Sequence, residues 1–196
     1  MQTFELLDRL ELISPNNTFF TDLRKTILNN DQFALFRLLQ QQTSSQLVEG
    51  LRKYKDNTEF NADCFSRGQL ESKLWLVKEL QKTKVDLGTV FLCAGWYATL
   101  ATMLFESSII VDKIRSFDID DTCRDIAETF NKPWVKDNWK FKSSTKDIMD
   151  INYEFERYEV IRADGTTCPL DDTPDTIINT SCEHIENFEE WYAKIP

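Results

Sequence analysis

Histidine occurs once in the 196 residues, at His184. A two-histidine zinc site within one chain is therefore excluded. Cys182 stands two residues from it, but no second pair of ligands has zinc spacing, and no metal is expected. The cysteines are odd in number, at 64, 93, 123, 168 and 182, and no CxxC pair occurs. That pattern suits a reducing, cytoplasmic setting better than a disulfide framework. With 5 Gly and 5 Pro the chain is neither linker-rich nor collagen-like. Basic residues are short: 23 against 33 acidic, for a net charge of −10. Broad contact with a nucleic-acid backbone needs a basic face, so a small-molecule partner is favoured. A small local basic patch stays open. No long apolar run is present either. The stretch from Gly88 to Phe105 is broken by Cys93, Gly95, Thr99 and Thr102, short of the roughly 20 residues of a membrane span. The N-terminus, MQTFELLDRLELI, is acidic and amphipathic, unlike a secretory signal.

What remains is ordinary globular composition, with 41% hydrophobic and 29% charged residues. The length fits one domain, or one domain with an appendage, able to bury a core unaided. The hydrophobic period divides the chain. Phe4, Leu6, Leu7, Leu10 and Ile13 recur at helical spacing up to Ser14-Pro15. Phe19, Phe20, Leu23 and Ile27 mark a second helix, and residues 33–39 a third. Ser44 or Ser45 can cap a fourth, carrying Leu47, Val48, Leu51 and Tyr54. A polar loop, KDNTEFNAD, follows. Ser66 then caps a helix with Leu70, Leu74, Val77 and Leu80 on one face. These stripes are core positions before they are a lipid or cofactor box.

After Lys84 the period shortens. Gly88 to Gly95 predicts a strand buried on both faces, and Trp96 to Glu106 a helix. Lys113 to Phe117 predicts a second strand, Thr122 to Phe130 a helix ended by Lys132-Pro133, and Trp139 to Lys142 a third strand. Asp164-Gly165 between strand-like flanks predicts a hairpin. Asp175 to Asn179 is a further strand, and Ile185 to Lys194 a last helix. Strands alternating with helices predict an α/β, Rossmann-like, mainly parallel sheet with a helical N-terminal cap. The expected division is a helical extension over 1–62 and the sheet domain over 63–196.

Open parallel sheets bind ligands beyond the carboxyl ends of their strands. Three such ends carry informative residues. At Cys93-Ala-Gly95-Trp-Tyr97, Gly95 lets the backbone turn and approach a ligand, and the next helix offers N–H groups to an anion. Asp118 can accept two hydrogen bonds from a ribose diol. Asp147 can meet an adenine amino group. Each has a plainer alternative: Gly95 ends a strand, Asp118 and Asp120 cap a helix, and Asp147 is a solvated loop acid.

The stretches VFLCAGWYATLATMLFE, IRSFDIDDTCRDIAETFN, FKSSTKDIMDI and PDTIINTSCEHI together resemble class I S-adenosylmethionine-dependent methyltransferases. The likeness is nearest to phage and bacterial proteins with a helical N-terminal extension, and covers roughly residues 64 to 196. The family has an acid and then Gly-x-Gly after its first strand. Here Cys93 stands for the acid and Tyr97 for the second glycine. The resemblance implies S-adenosylmethionine as cofactor. It places Cys93, Gly95 and Tyr97 at the methionine end, Asp118 on the ribose, Ile119 against adenine, and Asp147 with Ile148 at the adenine edge. It also implies chemistry or substrate contacts after the fourth strand, in Asn179-Thr-Ser-Cys-Glu-His184. His184 is then the candidate base, unless this stretch merely caps a helix. Arg67 is a candidate grip for the cofactor carboxylate or, alternatively, an exposed helix-end arginine.

The family sheet has seven strands, whereas this chain ends after the helix following the fourth. A fragment of a longer protein or a shortened fold is expected, with an open strand edge that invites self-association. The expected function is methyl transfer to an unnamed acceptor. The alternatives are cleavage or transfer of another part of the cofactor, and a non-catalytic interaction protein on the same fold.

Overall fold

A computed structural model of the chain describes residues 19–29, 46–54, 60–162 and 164–196. The chain divides into two compact units, Met1–Phe60 and Asn61–Pro196. In the first, helices α1 (Phe19–Leu28) and α2 (Gln46–Tyr54) form where the second and fourth helical patterns stand. The helices expected over 4–13 and 33–39 lie outside the described residues.

The second unit is α/β. A 3-10 turn, Ala62–Phe65, leads into α3 (Arg67–Thr83). The Ser66 hydroxyl caps that helix by accepting from the Gln69 N–H at 3.5 Å. Next come β1 (Thr89–Cys93), α4 (Thr99–Phe105), β2 (Lys113–Asp118), α5 (Cys123–Phe130), α6 (Lys132–Lys136) and β3 (Phe141–Thr145). After these the chain forms β4 (Glu156–Ile161), β5 (Thr167–Asp172), β6 (Thr176–Asn179) and α7 (Phe188–Tyr192).

β1, β2, β3 and β6 form one all-parallel sheet in the order β3-β2-β1-β6. The chain winds outward from β1 to β3 and then returns to the other flank of β1. That reversal is a topological switch point, as in Rossmann-like sheets. All five residues of β1 are buried, as a central parallel strand requires.

The two faces of the sheet are covered differently. Val90, Leu92, Ile114 and Phe141 are buried on the side of α4 and α5. Asn131 ties those two helices together. Its Nδ2 donates to Ala98 O at 3.2 Å and Ala127 O at 3.0 Å, and its Oδ1 accepts from Thr102 at 3.0 Å. On the other face Phe91, Cys93 and Phe117 pack with Tyr158 and Val160 of β4, with Tyr153 and with Trp191 of α7. β4 and β5 are the two arms of the expected hairpin, paired antiparallel and turning at Gly165 with φ +82°. Doubly wound sheets use a helix for such a crossover; here a β-ribbon covers the face. It is pinned to β3 where Lys142 Nζ donates to Ile161 O at 2.9 Å and Ser144 Oγ to Glu159 O at 2.6 Å.

Several boundaries differ from expectation. The helix before Lys132-Pro133 ends at Phe130 as expected, but the pair also opens the short α6, because proline in a first helical turn loses no hydrogen bond. β3 starts two residues later than expected, at Phe141. The last helix shrinks to Phe188–Tyr192 behind a 3-10 turn, Cys182–His184. Residues 62 and 63, expected as the end of a loop, begin the first 3-10 turn. On α3 the stripe is rotated, so that Leu74 is exposed and Lys73 is buried beside Val77.

Candidate functional site

A cavity of about 770 Å³ opens at the carboxyl ends of β1, β2 and β6, at the switch point. Its floor is the turn after β1, where Ala94, Gly95 and Trp96 line it. Ala94, Trp96 and Ala98 all have φ near +50°. A non-glycine residue in the left-handed region costs about 1–2 kcal/mol, so this turn is held by its surroundings. Gly95 N–H donates to Phe117 O at 3.1 Å, Ala98 N–H to Gly95 O at 2.7 Å, and Ser181 Oγ to Ala94 O at 3.2 Å. The turn delays α4 to Thr99, three residues after its expected start. Gly95 is required by close approach, since a Cβ there would overlap Ser116 Oγ. That hydroxyl is buried without a hydrogen-bond partner among the described residues. Ser116→Ala is therefore expected to leave stability within about 0.5 kcal/mol of wild type or to raise it, because an unsatisfied buried group is removed. Urea unfolding measures this, and a loss above about 1 kcal/mol would mean that the hydroxyl is bonded.

Asp118 ends β2 at the cavity wall. Its Oδ2 accepts from Trp96 N–H at 2.7 Å and its Oδ1 from Asp120 N–H at 3.1 Å. A carboxylate offers about four lone-pair positions, so capacity remains for a ligand. Ile119, 72% exposed, presents an apolar side chain beside it. Asp120 is not among the lining residues. It accepts from the hydroxyl and N–H of Thr122, which hold its carboxyl below the usual range. Just past β3, the strand beside β2, Asp147 accepts from Met149 N–H at 2.8 Å, and Ile148 and Met149 line the cavity with it.

The remaining expected residues are dispersed. Cys93 is fully buried on the hairpin side, with its sulfur 3.5 Å from Tyr153 Oη, and burial pushes its thiol up to about 12. Tyr97 is 4% exposed and turned from the cavity; its hydroxyl accepts from Asn61 N–H at 3.3 Å and its ring stacks on Trp96. Asn179 lies behind the lining, its Oδ1 accepting from Ser181 N–H at 2.8 Å while its buried Nδ2 has no partner among the described residues. His184 lines the cavity but is 78% exposed, and its Nε2 lies 3.7 Å from Glu183. Arg67 is 88% exposed and pairs with Glu71 at 2.7 Å, away from the cavity. Thus Gly95, Asp118, Ile119, Asp147, Ile148 and His184 come together. Cys93, Tyr97, Asn179 and Arg67 do not join them.

Sequence reasoning missed Lys73. It lines the cavity at 7% exposure, with its ammonium donating to Gln69 Oε1. Its signal was present: Leu70, Lys73, Val77 and Leu80 are spaced by three and four, which places a lysine in the apolar stripe. Lys73 and His184 face the carboxylates of Asp63, Asp118, Asp147, Glu183 and Glu186 around the cavity. Among the described residues no three acidic, histidine or cysteine side chains group as a metal site, and no helix is long and apolar enough to cross a membrane. Comparisons with protein-family models, curated protein sequences and solved structures give no match, so the site is described from this chain's own residues.

Proposed function

We propose that this cavity binds S-adenosylmethionine and that the protein transfers its methyl group to a small-molecule acceptor, as in the phage and bacterial methyltransferases that the sequence resembles. The observation that carries the reading is an acid-lined cavity at the switch point, with Asp118 at the end of β2. Carboxylates around one lysine favour a ligand with positive charge and repel a diphosphate or a nucleic-acid backbone. A sulfonium cofactor has the matching sign.

The residues present fit that group. The free lone pairs of Asp118 suit a ribose diol, Ile119, Ile148 and Met149 offer apolar surface to a base, and Asp147 keeps acceptor capacity for an amino group. S-adenosylmethionine supplies an already activated methyl group. The protein's task is then to align acceptor, methyl and sulfur, with little further chemistry. His184, exposed at the cavity mouth, is placed to take a proton from an acceptor that must lose one. His184→Asn should lower turnover of such an acceptor. Unfolding free energy and S-adenosylhomocysteine affinity should stay within about 0.5 kcal/mol, as for other exposed positions. Full activity over pH 6–8 would dismiss the base role.

A second reading keeps the cofactor but cleaves or transfers another part of it. It is favoured by Trp96, which lines the cavity directly after Gly95. Calorimetry with S-adenosylhomocysteine tests binding, and product analysis with methyl-labelled cofactor separates the two reactions. Binding without turnover would point to the non-catalytic alternative, and absence of binding would remove both enzyme readings. Within the same proposal, the protein works in the reducing cytoplasm, where its five free cysteines persist as thiols. The outer edge of β6 is the route for self-association.

A further inference from the structure

The cation that sequence reasoning sought at Arg67 is found further along the same helix. Lys73 reaches the cavity from the buried face of α3, and among the described residues no carboxylate lies within ion-pair distance of it. Its acceptor is the neutral side-chain amide of Gln69. An ammonium taken from water and given one uncharged partner is under-compensated, so a buried lysine is ordinarily neutralised or paired. Burial pulls its pKa down, and Cys64, Asp63 and Glu183 oppose that through space. Asp63 and Glu183 line the cavity as well. This corner therefore holds one buried positive charge with no ion-pair partner among the described residues, and two carboxylates further off. A phosphate group would satisfy Lys73 but meet Asp63 and Glu183 with a second negative charge. A zwitterion meets both signs.

We infer that the Lys73 corner is a receptor for the α-amino-acid end of the ligand, with Lys73 taking the carboxylate and Asp63 and Glu183 facing the ammonium. The inference rests on the adenosyl-binding reading and deepens it. Where the family has an acid after the first strand, this chain has the buried Cys93, so the polar end of the ligand is held from α3 and its preceding turn instead.

The test compares S-adenosylhomocysteine with 5′-methylthioadenosine, the same nucleoside thioether without the amino-acid end, by calorimetry. The wild type should bind S-adenosylhomocysteine at least about tenfold more tightly, the scale of a hydrogen bond to a charged group. Lys73→Met should erase that preference while leaving methylthioadenosine affinity unchanged. Its thermal midpoint should be equal or higher, since an under-compensated buried charge is gone. Asp63→Asn combined with Glu183→Gln should weaken S-adenosylhomocysteine alone. Equal affinities in the wild type, a comparison that needs no variant, would overturn the amino-acid receptor and leave the adenosyl reading standing. So would a preference that survives Lys73→Met. Failure of both ligands to bind would overturn the two together.

Discussion

Asp172→Ala is expected to lower the unfolding free energy of the sheet unit by about 3–5 kcal/mol, the usual cost of breaking a buried ion pair from one side. Asp172 ends β5 and is almost fully buried. Its Oδ2 accepts from Arg115 Nε at 2.8 Å and from Tyr158 Oη at 2.6 Å, and Lys113 pairs with its Oδ1. Arg115 belongs to β2 and points to the hairpin face. Its Nη1 is bonded to the carbonyls of Trp139 and Ile114. Removing the carboxylate leaves a guanidinium buried with carbonyl partners alone, and the joint between ribbon and sheet loses its charged centre. Urea unfolding at pH 7 measures the loss. A change below about 1 kcal/mol would mean that the ribbon does not dock through this pair. Replacing Arg115 and Asp172 together by methionine and leucine should recover much of the loss, since the cost lies in the uncompensated charge.

The same carboxylate gives a pH dependence. Burial raises the Asp172 carboxyl, but hydrogen bonds from Lys113 and Tyr158 and the Arg115 charge outweigh it and hold it below its ordinary value. A depressed folded-state pKa contributes stability that is present above the unfolded value of about 3.9 and is lost as pH falls through the folded one. Wild-type stability should therefore fall on acidification below about pH 4, and the Asp172→Ala curve should be flatter there.

Asp118→Ala is expected to weaken S-adenosylhomocysteine binding by about 1.5–3 kcal/mol, or roughly 10- to 150-fold. Two losses combine. The proposed ribose acceptor disappears, and so does the bond from Trp96 N–H that helps to hold a left-handed turn. Asp118→Asn separates them, because its amide oxygen can still accept from Trp96 while the charge is gone. An affinity of the Asp118→Asn variant close to wild type would assign Asp118 to the turn alone. Equal affinity for the alanine variant would remove it from the site altogether.

Much of the fold was legible because its elements carry local signals. Val90 to Leu92 is the centre of a short apolar run, Asp164-Gly165 has hairpin chemistry, and Ser66 is a good cap. Asp118 and Asp147 were legible for the same reason, as acids at or just past the ends of short strands. The layer assignment of the hairpin was not, since that depends on Asp172 meeting Arg115 across 57 residues. Nor was the direction of Tyr97. Its position after Gly95 suggested the cavity, but the left-handed residues on either side turn the ring toward Asn61. Arg67 was singled out for its chemistry, whereas the helical phase of α3 decides which cation is inside. Leu74 misled in the same way: a spacing of four from Leu70 suits the stripe, but the buried row runs through Lys73.

The return of the chain to β1 has a consequence for how the protein folds. β1 to β3 pair through short crossovers, whereas β6 joins β1 after the whole ribbon, with Thr89 N–H meeting Asp175 Oδ2 across 86 residues. Closing a longer loop costs more chain entropy, and non-local pairing slows folding. The β1–β6 ladder is thus the most expensive contact of the sheet to nucleate, and one wall of the cavity, at Thr180 and Ser181, arrives with it. A ligand that binds across β1, β2 and β6 favours the closed sheet by mass action. In a chain folding from its N-terminal side, that wall forms only after β1 to β3 and the ribbon are in place.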